Sequence, residues 1–212
     1  MSQSKVSEWV SFLLPVLQTS LQRVGTLPVQ SYGFQHFNQA VDYLLVDVTQ
    51  RQVGRRIHPE GQREEYSGKQ KGHRIKNLAI ADPMGYLHYL SPTFEGAMHD
   101  KAIWEQVDLH PSAINWIADL GFLGIDKTHP NVILPYKTSK YNKLTPLQKQ
   151  INRAISSLSV RIEHAFAGVK RLKIIANKIR LKSYHKRDQV MWIAAGLHNL
   201  RIQSRNGLIN YS

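Results

Sequence analysis

Cysteine is absent from the 212 residues of this chain. The sequence therefore offers no disulfide framework and no thiolate ligands for a metal. It also lacks an apolar run of 18 residues and a signal peptide, which argues against a membrane partner. The HExxH and Walker patterns do not occur, so zinc hydrolysis and nucleotide triphosphate chemistry have no support.

Acidic residues are scarce, with 15 Asp and Glu against 28 Lys and Arg, a formal net charge of +13. This balance favours a polyanionic partner, and nucleic acid is the first expectation. Solvated charge is the default explanation for any one basic stretch. The cations that we expect to follow a DNA backbone are Lys69, Lys71, His73, Arg74, Lys76, Lys170, Arg171 and Lys173, and the second stretch continues with Lys178, Arg180, Lys182, Lys186 and Arg187.

Two aspartates each follow an apolar run: Asp47 after Leu44–Val46, and Asp119 after Ile114–Ala118. A carboxylate at the end of a buried strand loses hydration energy unless a cation holds it. A divalent metal is one candidate for that cation. For a lone Asp in this position, a turn or a helix cap is the more common role.

A third acid, Glu163, lies in a long amphipathic helix whose start is marked by Thr145, Pro146 and Gln148, as in a capping box. The predicted buried face comprises Ile151, Ile155, Leu158, Ile162, Phe166 and Val169. A separate polar face comprises Asn152, Ser156, Ser159, Glu163 and Lys170. Arg161 should point to roughly the opposite side of the helix from Glu163, away from any metal.

The other predicted elements place strands before helices, which favours a mixed α/β domain. An amphipathic helix is expected over residues 4–24, with a break or kink at Pro15. Residues 50–76 lack apolar periodicity and should form a loop or an extended ribbon. The remaining predictions are a connector at 33–40, strands at 43–48, 114–118 and 132–134, a hairpin of 75–81 with 85–90 around the turn 82–85, and a helix at 99–107.

Seven segments in order resemble the insertion-sequence-5-type transposases and the related Harbinger-type DDE endonucleases. The segments are Asp47-Val48-Thr49, residues 66–73, residues 96–101, residues 118–122, residues 133–137, residues 160–166 and residues 195–201. The resemblance implies an RNase-H-like mixed sheet flanked by helices, with an N-terminal amphipathic helix. It places an N-terminal helix and linker at 1–42, the catalytic domain at 43–205 and a tail at 206–212.

The same resemblance implies a DDE transposase that cuts and joins DNA strands at transposon ends. Asp47, Asp119 and Glu163 would be both catalytic and metal-binding, holding two Mg²⁺ or Mn²⁺ ions as paired metals do in phosphoryl transfer. His99 and Asp100 would orient these metal ligands without binding the metal ions directly, or would cap the helix that begins there.

Family members carry a helix-turn-helix region before the first aspartate, whereas 46 residues precede Asp47 here. We therefore expect the catalytic portion of a transposase, with a separate helix-turn-helix polypeptide as a partner, or a truncated remnant. The alternative function is a non-catalytic DNA-binding protein that regulates or complements a full-length transposase. Joining two transposon ends to a target implies a homo-oligomer. The expected location is cytoplasmic and nucleoid-associated in a bacterium, or nuclear in a eukaryote.

Overall fold

A seven-stranded mixed sheet forms the centre of the computed structural model, which describes residues 2–30, 41–107, 109, 114–181 and 183–207. The predicted connector at 33–40 and most of the predicted tail lie outside the described residues. The strands are β1 (Tyr43–Gln52), β2 (Tyr66–Ser67), β3 (Gly72–Ala81), β4 (Leu87–Leu90), β5 (Phe94–Glu95), β6 (Asn115–Ile117) and β7 (Val132–Ile133). The α-helices are α1 (Gln3–Val24), α2 (Pro59–Glu65), α3 (Asp100–Val107), α4 (Pro146–Val169), α5 (Lys173–Ala176) and α6 (Tyr184–Arg205).

The order of strands across the sheet is β2-β3-β1-β6-β7, and β4 and β5 also pair with β3. Strand β1 is antiparallel to β3 and parallel to β6, which in turn is parallel to β7. This mixed sheet, with helices around it and α1 in front of it in sequence, confirms the predicted RNase-H-like class.

Apolar side chains cover both faces of the central strand β1. Leu45 belongs to a core cluster formed with α4 and α6, whereas Leu44 and Val46 belong to a second cluster formed with α3. Because side chains alternate across a strand, a slip by one residue would exchange these two sets. Burial on both sides therefore fixes the register that determines where Asp47 lies.

The helix that carries Glu163 was predicted well. The Thr145 hydroxyl accepts a hydrogen bond from the Gln148 N–H, and the Gln148 side chain accepts one from the Thr145 N–H. The predicted apolar face packs inward, with Ile155, Ile162, Phe166 and Val169 buried and Ile151 and Leu158 partly buried. These contacts hold α4 against β1.

Two predictions about the first third of the chain were wrong in part. Helix α1 runs without a break through Pro15. Residues 50–76 do contain a ribbon, formed by β2 and β3, but neither predicted alternative included the helix α2 before it. That helix has Pro59 and Glu60 in its first turn, both of which favour a helix start.

The predicted hairpin is confirmed as β3 and β4, which pair antiparallel. The Asp82 carboxylate oxygen Oδ1 accepts hydrogen bonds from the N–H groups of Met84 and Tyr86. Gly85 has a φ of 84°, a conformation that glycine adopts without strain. The turn residues thus act through the chemistry expected from their sequence.

Candidate active site

Asp47 lies in the middle of β1 rather than near its end, because the residues after it continue to pair with β3 as far as Gln52. What ends near Asp47 is the parallel pairing with β6, whose last matched residues are Leu45 and Ile117. Two residues further along each chain are Asp47 and Asp119. Both acids therefore follow the same end of the parallel pair.

Asp47 lies on the face of β1 that α4 covers. Side chains two residues apart in a strand share a face, so Asp47 lies on the side of Leu45. Leu45 belongs to the core cluster that includes α4. Asp119 lies just past the end of β6, and its carboxylate approaches that of Asp100 in α3. Glu163 is an exposed residue of α4, which packs on β1. Asp119 and Glu163 both lie near enough to Asp47 for their charges to act on its carboxyl.

Backbone hydrogen bonds position the two aspartates. Asp47 Oδ1 accepts from the Val48 N–H at 2.7 Å, and Asp119 Oδ1 accepts from the Gly121 N–H at 2.8 Å. The second bond caps a short 3-10 turn at Leu120–Phe122. Asp119 therefore fills the common capping role anticipated for an Asp after an apolar run, while it also lies near Asp47.

Burial and the charges of neighbouring acids raise the pKa values of both aspartates. Burial raises the pKa of the Asp47 carboxyl to about 7, the Val48 N–H opposes the rise, and the negative charges of Asp119, Asp100 and Glu163 add to it. Burial also raises the pKa of Asp119, with a further increase from Asp100. The like charges disfavour ionisation of one another, and a bound cation would relieve that repulsion.

Asp100 is a fourth acid near Asp47, at the start of α3. A Cβ on Gly121 would lie 2.8 Å from Asp100 Oδ2 and 2.9 Å from Asp119 Oδ1, so glycine permits both carboxylates to approach the same point. Lys76 Nζ donates to Asp100 Oδ1 at 3.0 Å and to the Met98 carbonyl. His99 is exposed, and its carbonyl accepts from the Ile103 N–H in the first turn of α3.

Lys76 was expected to contact DNA, and the structure places it otherwise. Its side chain is buried and held by Asp100, so its ammonium acts within the protein. Arg187, from the second basic stretch, is also buried and paired with Glu65 at 3.0 Å. Each cation has an acidic partner distant in sequence, which local charge patterning does not reveal.

Other predicted cations border the acids. The positive charge of Lys69 lowers the pKa of Asp119, against the larger effect of burial. Burial lowers the pKa of Lys170, and the charge of Asp47 opposes that change. Lys69 and Lys71 lie in the exposed turn between β2 and β3, His73 and Arg74 are partly buried in β3, and Arg171 and Lys173 are exposed after α4. Lys182 lies outside the described residues.

The chemistry of the donor set suits Mg²⁺ or Mn²⁺, because each of these acids offers the carboxylate oxygens that hard divalent ions prefer. Over the residues that the structure describes, no group of three or more His, Cys, Asp or Glu side chains is placed so that it could hold a metal ion. None of the described helices is long and apolar enough to cross a membrane.

Sequence reasoning missed the arginines of α6 that approach α4 from the side opposite the acids. Arg201 and Arg205 line a cavity with His198. Their spacing of three and four residues places them on one face of a helix, and this periodicity was the available signal.

Comparisons with known proteins found one curated relative. The chain is 28% identical over 162 residues to a protein of Microchaete diplosiphon named as a probable transposase for insertion sequence element IS702. That match covers 75% of this chain and 57% of the relative, so the chain spans little more than half of the relative's length. No solved structure matches.

A family model described as "DDE superfamily endonuclease" matches residues 46–199. The match begins one residue before Asp47, ends within α6, and contains both Asp119 and Glu163. Since it covers well over half of the chain, this protein belongs to the DDE superfamily endonucleases.

Proposed function

We propose that this chain is the catalytic portion of a transposase that cuts DNA strands at transposon ends and transfers them to a target. The observation that supports the proposal is the parallel pairing of β1 and β6, which ends two residues before Asp47 and Asp119, while α4, which carries Glu163, packs on β1. Asp47, Asp119 and Glu163 are the proposed catalytic residues.

These three carboxylates would hold two Mg²⁺ or Mn²⁺ ions. Paired metals would supply Lewis-acid stabilisation of the attacking and leaving oxygens of an in-line phosphoryl transfer. Asp119 is held in place by the Gly121 N–H, and Asp47 by the Val48 N–H. Asp100 lies close enough to raise the pKa of both aspartates, and Lys76 fixes its orientation.

DNA is the proposed partner, and the cations at the border of the acids would position its backbone. Lys69 stands near Asp119 and Lys170 near Asp47, so a phosphate approaching either acid would meet a positive charge. Contacts of this kind give affinity and register but carry little sequence information. Lys71 and Lys173 extend the positive surface, whereas Lys76 is buried and orients Asp100.

The test is a strand-cleavage assay on DNA that carries the terminal inverted repeats, with Mg²⁺ or Mn²⁺ added. Asp119→Asn and Glu163→Gln should each lower the cleavage rate by about 100-fold or more, because a ligand to metals that stabilise the transition state is lost. Asp42→Asn, the same chemical change at an exposed position, should leave the rate unchanged. Unchanged cleavage after Asp119→Asn would reject the proposed site.

A non-catalytic DNA-binding role is the second candidate. It is favoured by the lack of a finished three-ligand metal group in the described part of the chain. Salt-sensitive DNA binding without metal-dependent cutting, even after a helix-turn-helix polypeptide is supplied, would support this second function over the first.

A further inference from the structure

A cavity of about 400 Å³ opens between α4, α6 and the turn that joins β3 to β4. Its cationic and imidazole side chains are Arg161, Arg171, Arg201, Arg205, His164 and His198, and the lining includes no Asp or Glu. Arg161 lies about 160° around the axis of α4 from Glu163, given about 100° per residue. Arg161 and Glu163 therefore point to different sides of α4.

The floor of the cavity is built by close packing of α4 on α6. The His198 Nε2–H donates to the Gly85 carbonyl at 2.9 Å, and Arg201 Nη2 donates to His198 Nδ1 at 3.0 Å. A Cβ on Gly168 would overlap the His198 ring and lie 2.8 Å from Arg201 Nη2. Glycine at 168 thus lets the Arg201 guanidinium reach the cavity in a fixed position.

The positive charge in this cavity is not balanced by the residues around it. His198 is neutral in this arrangement, because its Nδ1 accepts a hydrogen bond while Nε2 donates one. Burial lowers the pKa of Arg201, and the charges of Arg171 and Arg205 lower it further. The buried Arg201 Nε has no hydrogen-bond partner among the described residues. Clustered guanidinium groups repel one another, and an anion between them would remove that cost.

Arginine is the side chain whose planar fork matches a phosphate in a bidentate manner. No Phe, Tyr or Trp lines the cavity, so it lacks the stacking surface that would hold a base. Arg171 follows Lys170 directly, and Lys170 lies near Asp47. The cavity and the acids therefore approach each other at the C-terminal end of α4, where one DNA could touch both.

We propose that this arginine cavity binds a phosphate of the DNA backbone at a distance from the strand to be cut. The inference rests on the proposed function, because it takes DNA as the ligand. It adds a second contact that would hold the duplex across α4 while the acids act on the other side.

The experiment measures binding of a mixed-sequence duplex by the full chain, without divalent metal, over a series of salt concentrations. The variant Arg171→Gln/Arg205→Gln removes two cavity cations that are exposed. We expect the magnitude of the slope of log K against log salt to fall by about 0.9, the value for one lost phosphate contact, with binding about tenfold weaker. The control Lys5→Gln/Lys127→Gln removes two exposed charges elsewhere and should keep the original slope and affinity.

A second variant guards against a folding defect. His164→Glu brings a negative charge to the cavity from an exposed position on α4 and should weaken DNA binding without altering the thermal midpoint of unfolding. If both cavity variants bind DNA as the control does, the inference is overturned.

Inorganic phosphate, added at constant ionic strength, distinguishes a DNA-binding site from a site for small anions. Phosphate should raise the thermal midpoint of the original protein but not that of Arg171→Gln/Arg205→Gln. If that variant loses the phosphate effect yet keeps its full DNA affinity and salt slope, the cavity is a small-anion site and the DNA inference fails. The cleavage assay tests the proposed function separately from this inference. The binding defect of the cavity variants is measured without metal, so it can be present whether or not the protein cuts DNA.

Discussion

Asp47 shows at the scale of one residue how the fold prepares a site at a cost in stability. Its carboxyl is surrounded by apolar core on one side and by Asp119, Asp100 and Glu163 on the other. Both surroundings disfavour its ionised form, so the pKa rises from 3.8 to about 7. A carboxylate in that environment destabilises the folded protein whenever no cation is bound.

This gives a pH dependence with a definite sign. The folded protein holds the Asp47 proton more tightly than the unfolded chain does, so this group's contribution to stability is fully present below pH 3.8 and is lost as pH rises to about 7. In metal-free protein, Asp47→Asn should therefore raise the free energy of unfolding at about pH 8 and have little effect near pH 4. Urea unfolding at several pH values measures this, with Asp42→Asn as the control. Equal pH profiles for Asp47→Asn and the original protein would contradict the raised pKa of Asp47.

Helix α1 packs on the rest of the protein unevenly along its length. Leu21, near its C-terminal end, is buried, and its Cδ1 would lie 3.2 Å from a Cβ added at Gly196 of α6. Further towards its start, Trp9 and Phe12 are largely exposed. The helix is therefore held to the domain chiefly by one end.

A matched pair of substitutions tests this anchoring. Leu21→Ala should lower the free energy of unfolding by about 2–4 kcal/mol, because it removes buried methyl groups and leaves a cavity. Phe12→Ala deletes a larger side chain that is 65% exposed and should change stability by less than about 0.5 kcal/mol. Denaturant unfolding of both variants measures the difference. Similar losses from the two would show that the whole length of α1 packs against the domain.

At the scale of the molecule, Glu65 joins segments that are distant in sequence. Its Oε1 accepts hydrogen bonds from Arg56, Tyr184 and Arg187, and Arg51 of β1 in turn donates to the Arg187 carbonyl. Glu65 is fully buried. This network ties α2 and α6 to β1, the strand that carries Asp47.

Glu65→Gln should lower the free energy of unfolding by about 3–5 kcal/mol, because it leaves a buried arginine without its counter-charge. Glu64→Gln makes the same change one residue earlier at an exposed position and should be nearly neutral. Thermal unfolding of the two variants provides the measurement. A small loss from Glu65→Gln would mean that the neighbouring arginines find other acceptors.

The sequence was most informative where chemistry is local. The capping box at Thr145, the turn at Asp82 and the apolar face of α4 each depend on residues within a few positions, and all three predictions were confirmed. The predictions for Lys76 and Arg187 failed because their partners, Asp100 and Glu65, are 24 and 122 residues away. A charge in a polar stretch gives no sign of such a partner.

By itself, then, the sequence determined the mixed sheet and the boundaries of its main helix, and the family's motifs predicted the three acids. Its apolar periodicity and ordered motifs are local patterns, and local patterns suffice for those features. Only the tertiary structure decided that β1 and β6 pair in parallel ahead of Asp47 and Asp119, that Lys76 and Arg187 turn inward, and that arginines of α4 and α6 line a common cavity. Each of these depends on strand pairing or helix packing between distant segments, which no single stretch of the chain encodes.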